Sequence, residues 1–141
     1  MGRNAVKPAF FLALLLALAA CSSGDYLGKP KEVDPNVFPA GYKKEITDTL
    51  TRTLEDPTNV RDAFVSEPAL RPAGRDQRYA VCIRANSRNA NRQYMGSKDR
   101  IAFFFGGYLN QLVDATKEQC GNAVYKPFPE LEKLCLGKTC E

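Results

Sequence analysis

The sequence predicts an α+β domain built from an N-terminal helix, a small antiparallel sheet of three or four strands with a Gly-Gly hairpin, and a short C-terminal helix. Three observations predict it. Apolar residues recur at helical spacing over residues 42–55, two apolar runs flank Gly106-Gly107, and Pro129 opens a stretch in which Phe128, Leu131 and Leu134 line one side.

In residues 42–55, Tyr42, Ile46, Leu50 and either Thr53 or Leu54 share one helical face. The threonines in this run lower its intrinsic propensity, so the helix depends on packing against the rest of the domain, and Asp56-Pro57 ends it. Residues 60–66 alternate imperfectly and read as a strand stopped at Pro68. A turn-rich stretch from Pro68 to Gln77 leads into residues 78–85, where Tyr79, Val81, Ile83 and Ala85 alternate with Ala80, Cys82 and Arg84, the pattern of a half-buried strand. Ile101 to Phe105 and Tyr108 to Val113 are joined by two glycines, the spacing of a tight hairpin. A regular two-residue turn pairs Phe105 with Tyr108, Phe103 with Asn110 and Ile101 with Leu112, and leaves Phe104, Leu109 and Val113 on the opposite face. The aromatic residues Phe103, Phe104, Phe105, Tyr108 and Phe128 are expected mainly in the core.

The first twenty residues carry Arg3 and Lys7, then an uncharged apolar run from Ala9 to Ala20. That run is about 12 residues, short of the roughly 20 that a helix needs to cross a bilayer, so it reads as a cleaved signal peptide. Leu18-Ala19-Ala20-Cys21 resembles the lipobox of bacterial lipoproteins, and the resemblance covers residues 1–24 only. It implies cleavage before Cys21, diacylglycerol on the Cys21 sulfur and a further acyl chain, such as palmitate, on the new amine. Two or more chains suffice for stable anchoring, where one gives marginal binding. Ser22, a non-acidic residue after the cysteine, resembles the pattern of proteins passed on to the outer membrane, which implies a location on its periplasmic side. In size and layout the chain is similar to the generic small envelope lipoproteins of Gram-negative bacteria. The expected organisation is a signal peptide over 1–20, a lipidated flexible tether over 21–40 rich in glycine and proline, and one globular domain over 41–141.

The signal peptide holds two of the twenty basic residues and none of the sixteen acids, so its loss lowers the formal charge from +4 to +2. That balance gives no reason to expect a nucleic-acid partner. Beyond Cys21 there are Cys82, Cys120, Cys135 and Cys140, an even number in a compartment that permits disulfides. Four cysteines allow three pairings. Cys135 and Cys140 are near enough in sequence to close a small loop, which leaves a Cys82–Cys120 bridge worth roughly 3 to 4 kcal/mol in the chain-entropy model. No histidine is present and the cysteine spacing is not that of paired zinc knuckles, so no metal or other cofactor is expected.

The same lack of histidine removes the Ser-His and Cys-His templates, and no enzyme is expected. Asp62, Glu67, Asp99 and Asp114 are the acids nearest the strands, without a pattern that marks a catalytic pair. One basic cluster stands out over residues 84–100, where Arg84, Arg88, Arg92, Lys98 and Arg100 accompany only Asp99, in what reads as a long hairpin loop. The functional expectation is a non-enzymatic interaction or structural module, held on the membrane through Cys21 and meeting an envelope protein or an anionic envelope component. The alternative is a small anionic-ligand or inhibitor module that uses the basic loop, with arginine forks as the binding groups.

Overall fold

A computed structural model describes Gly2 and residues 32–134. Helix α1 (Tyr42–Thr53) is followed by strands β1 (Asp56–Ser66), β2 (Ala69–Ala73), β3 (Asp76–Arg88), β4 (Tyr94–Phe105) and β5 (Tyr108–Asp114). A short helix α2 (Lys117–Cys120), strand β6 (Tyr125–Pro127) and helix α3 (Pro129–Glu132) complete the chain. The architecture is α+β, with one antiparallel sheet in the order β5-β4-β3-β1-β6 and β2 paired to the first half of β3. Six strands replace the expected three or four. β2 hides in the turn-rich stretch after Pro68, and β6 is a three-residue strand that ends on Pro127. The expected long basic loop is mostly strand as well, because β3 runs on to Arg88 and β4 begins at Tyr94.

Helix α1 buries Tyr42, Ile46 and Leu50 against one face of the sheet, where Val81, Ile83 and Ala85 of β3 meet Ala102 and Phe104 of β4. Phe128 and Leu131 are fully buried in the same cluster and Leu134 packs on it, as their spacing predicts. α3 is also tied to β1 through the backbone of Ala63, whose carbonyl accepts from Phe128 N at 2.8 Å and whose N–H donates to Glu132 Oε1 at 2.9 Å. β1 places Val60, Ala63 and Val65 in this core, a spacing that simple alternation forbids. Two register shifts against β3 resolve it, and Asn59 and Asp62 take positive φ there (53° and 51°). Asn and Asp are the non-glycine residues that tolerate this conformation best.

The opposite face carries Ala80, Cys82 and Ile101, covered by the connection from β5 to β6. α2 lies within that connection and is closed by a capping box in which Thr116 Oγ1 accepts from Gln119 N and Gln119 Oε1 accepts from Thr116 N. A disulfide between Cys82 and Cys120 fastens it to the centre of the sheet, with both sulfurs buried. Cys82 sits where β3 changes neighbours from β2 to β1, and its N–H donates instead to the buried Ser66 Oγ at 2.9 Å.

The glycine hairpin forms with φ of 59° at Gly106 and 88° at Gly107, the pair of positive values that a type I′ hairpin turn requires. Its register departs from regular pairing. Phe105 faces Tyr108 and Phe104 faces Leu109, but beyond a bulge Phe103 faces Gln111, Ala102 faces Leu112 and Ile101 faces Val113. The extra residue turns Leu112 to the helix side, alongside Leu109, instead of the Ile101 side expected from the sequence. The expected tether also ends before residue 40. Gly106 N donates to Pro35 O at 3.0 Å, the Phe38 ring meets Tyr79 edge-on at 5.4 Å, and Pro39 is buried, so residues 33–40 pack on the domain. Proline and apolar side chains that read as linker in the sequence find their partners at the hairpin tip and on Tyr79 of β3.

Ser66→Ala leaves a buried N–H without its acceptor and is expected to cost about 1–3 kcal/mol, read as a lower urea midpoint at unchanged slope. Replacing both Cys82 and Cys120 with alanine is expected to cost about 4 kcal/mol, because it releases a 38-residue loop in the unfolded chain. An unaltered midpoint for the double variant under oxidising conditions would contradict the role given to the bridge.

Candidate interaction surfaces

The five cations singled out by the sequence do not converge. Arg84 stands opposite Asp99 on the disulfide face, whereas Lys98 opposite Ala85 and Arg100 opposite Ile83 lie on the helix face. Arg88 ends β3 and Arg92 occupies the turn between β3 and β4, with φ of 61°. The turn itself is organised by Asn89, whose side-chain carbonyl accepts from Asn91 N and Gln93 N.

Most of these charges are matched by acids. Arg84 forms a two-pronged pair with Asp99, at 2.7 and 2.9 Å, and its guanidinium stacks 4.6 Å from the Tyr125 ring centroid. The pair holds the Asp99 carboxyl below its ordinary range and raises Arg84 further; burial, then the Asp99 charge, raise the Tyr125 phenol. Arg88 pairs with Asp56 at 2.8 Å and donates to Thr58 Oγ1 at 2.8 Å, which clamps the start of β1 to the end of β3. Asp56 is itself held low, first by the Thr58 hydroxyl and then by the Thr58 amide and Arg88. Arg100 lies 3.6 Å from Asp114. Only Arg92 and Lys98 of the five make no ion pair among the described residues. Arg88, Lys98 and Arg100 do border one small cavity of about 190 Å³, but Glu55 and the end of α1 share it, so its field is mixed.

A larger groove of about 480 Å³ runs along the disulfide face between the β2–β3 hairpin and β5. Arg78, Phe103, Phe105, Gln111, Val113 and Gln119 line it, and no carboxylate does. It offers an apolar floor with amide and guanidinium edges, suited to holding a chain or a surface. It offers no acid–base pair. Compared with family models, curated proteins and solved structures, the chain matches none.

Among the described residues there is no group of three or more histidine, cysteine or acidic side chains able to hold a metal, and no helix long and apolar enough to cross a membrane. Three of the four carboxylates noted in the sequence face cations: Asp99 faces Arg84, Asp114 faces Arg100, and Glu67 pairs with Lys126 at 2.9 Å, while Asp62 is exposed at a positive-φ position of β1. Cys21, Cys135 and Cys140 lie outside the described residues. The aromatic set divides: Phe104 and Phe128 are core, Phe103 packs near the disulfide, and Phe105 and Tyr108 are exposed. Their exposure was hidden in the sequence, since alternation gives a side chain its face but not its distance from the end of the sheet.

Asp99 has its folded value below the ordinary aspartate value of about 3.9, so the Arg84 pair stabilises the fold above that pH and the gain is lost as pH falls through the folded value. Asp99→Asn is expected to be less stable than the native chain at pH 7, with the gap narrowing as pH drops below about 4. Denaturant unfolding at a series of pH values checks this; a gap that stays constant across the acid range contradicts it.

Proposed function

We propose that the protein is a lipid-anchored envelope protein that acts as a non-enzymatic interaction or structural module. The observation that carries this reading is the sequence Leu18-Ala19-Ala20-Cys21 behind a basic and then apolar leader, with acylation of Cys21 as its consequence. The proposed location is the periplasmic side of the outer membrane. A buried bridge between Cys82 and Cys120 supports an oxidising compartment, where such bonds persist. A binding rather than catalytic role is supported by the absence of histidine from the whole chain and by the use of Asp56, Asp99 and Glu67 in ion pairs.

The alternative of an anionic-ligand module keeps one favouring observation, the small cavity that Arg88, Lys98 and Arg100 share. Arg88 is a poor residue to test, because removing it also leaves Asp56 unpaired. Lys98 and Arg92 are the better probes.

In cells fed a labelled fatty acid, the native chain is expected to carry label and pellet with membranes, and Cys21→Ser to lose both. A labelled Cys21→Ser chain would overturn the anchor. Crosslinking in intact envelopes then separates the roles: a protein partner captured equally by the native chain and by Lys98→Gln with Arg92→Gln supports an interaction module. Loss of binding to an anionic glycan or lipid headgroup in that double variant would favour the ligand module.

A further inference from the structure

Among the described residues, five of the nine exposed large apolar side chains gather at one end of the sheet. The Gly106-Gly107 turn is flanked by Phe105 and by Tyr108, which is 73% exposed, and is wrapped by Val33, Val37 and Phe38, of which Val33 is 56% and Phe38 52% exposed. The two valines rest directly on the turn: a methyl group added at Gly106 would lie 3.0 Å from Val33 Cγ1, and one added at Gly107 3.1 Å from Val37 Cγ1. Aromatic and branched residues from two separate segments thus form a single cap. The pairing of Ala80 with Phe103 carries the Gly74-Arg75 turn past the glycine turn at the same end, so the exposed Arg75 lies beside it. Arg78 stacks over Phe105 at 5.4 Å. A tip of aromatic rings with arginines at its margin has the composition of a surface that sits at a bilayer interface.

The chain's own connectivity selects the occupant. Val33 belongs to the cap, and Cys21 precedes it by twelve residues, at most about 40 Å of chain. A domain anchored at Cys21 therefore hangs from its apolar end. Over so short a linker the effective concentration of the tip at the membrane is on the order of mM, enough to fill a docking surface that would be weak in free solution. We infer that the tip formed by Phe105, Tyr108, Val33, Val37 and Phe38 docks on the lipid surface that holds the anchor, and so orients the domain with the β3–β4 turn pointing away. The inference rests on the proposed lipidation of Cys21. Asp34 and Asp76 offset Arg75 and Arg78 near the tip, so docking is driven by the apolar rings and depends little on anionic lipid.

The chain has no tryptophan, which allows a single reporter. Tyr108→Trp places it at the tip, and Met95→Trp, also at an exposed site, places it about 33 Å from Phe105 along β4. The purified lipidated protein is inserted in vesicles of phosphatidylethanolamine and phosphatidylglycerol whose acyl chains carry bromine near the headgroups, and the mass of the Cys21 peptide is read from the same sample. The expected result is several-fold stronger quenching at Tyr108→Trp than at Met95→Trp, little changed in phosphatidylcholine alone, and abolished when Val37→Asp is added. Phe38→Trp, the second tip reporter, is expected to follow Tyr108→Trp. Equal, weak quenching at tip and far end with an acylated Cys21 overturns the docking and leaves the anchor standing. An unacylated Cys21 overturns both. Tip reporters shielded from bromine, with crosslinks to a second copy or another protein, overturn the lipid surface as the occupant.

Discussion

The bond between Cys82 and Cys120 decides what the second face of the sheet can be. A single short helix covers only one side of a six-stranded sheet, and α1 with α3 spends its apolar residues there. On the other side, the part of the sheet under the β5–β6 connection offers Ala80, Cys82, Ile101 and Phe103, a smaller cluster in which the disulfide adds to what burial supplies. Linking Cys120 to the middle of β3 brings the β5–β6 connection across that face, and β6 can then pair with β1 at the far edge. Ser66 completes the arrangement by accepting from the Cys82 N–H at the point where β3 exchanges one neighbour for another. The bridge and the edge strand are thus one device. The covalent link fixes the chain before β6, and the buried Phe128 and its N–H bond to Ala63 O fix the chain after it, so a three-residue strand is held in register from both ends.

Much of the helix-side core was legible because its signals are local. Tyr42, Ile46 and Leu50 repeat at helical spacing, Tyr79 through Ala85 alternate, and Gly106-Gly107 stands between apolar runs, so each element announces itself within a few residues. What was not legible depends on partners distant in sequence or on a single inserted residue. The bulge in β5 moves Leu112 from one face to the other without any change of composition. In β1 the sequence does carry a signal: Asn59 and Asp62 are residue types that accept positive φ, and each marks a place where alternation resets. β2 contains Pro72 and borders a Gly-Arg turn, which reads as loop, yet proline is tolerated at a sheet margin.

The basic stretch shows the same limit in electrostatic form. Counted along the chain, residues 84–100 are an uncompensated run of cations with one acid. Counted in space, Arg88 belongs to Asp56, Arg100 to Asp114 and Arg84 to Asp99, and strand alternation sends Arg84 to one face and Lys98 with Arg100 to the other. Sequence clustering of charge implies a common field only where the backbone does not alternate, and here most of the run is strand. The pair Arg84–Asp99 with Tyr125 stacked above it joins β3, β4 and β6 at the surface, so these charges contribute to holding the sheet together more than to capturing a ligand.

The distribution of apolar surface points the same way as the distribution of charge. Residues 33–40 contribute Pro39 to the interior but leave Val33, Val37 and Phe38 open around the glycine turn, an arrangement that buries one proline and exposes the larger side chains. Val33 and Val37 pack on the glycine turn and Phe38 on Tyr79, yet each of the three keeps about half of its surface in water. The edge of β5 beside the tip is also closed, because Glu45 Oε2 accepts from Leu109 N at 2.6 Å and removes one of the edge donors that an added strand would use. An end of the sheet that is apolar on its surface yet partly blocked along its edge is better suited to meet an apolar surface than another strand, and that end is the one where the chain arrives from Cys21.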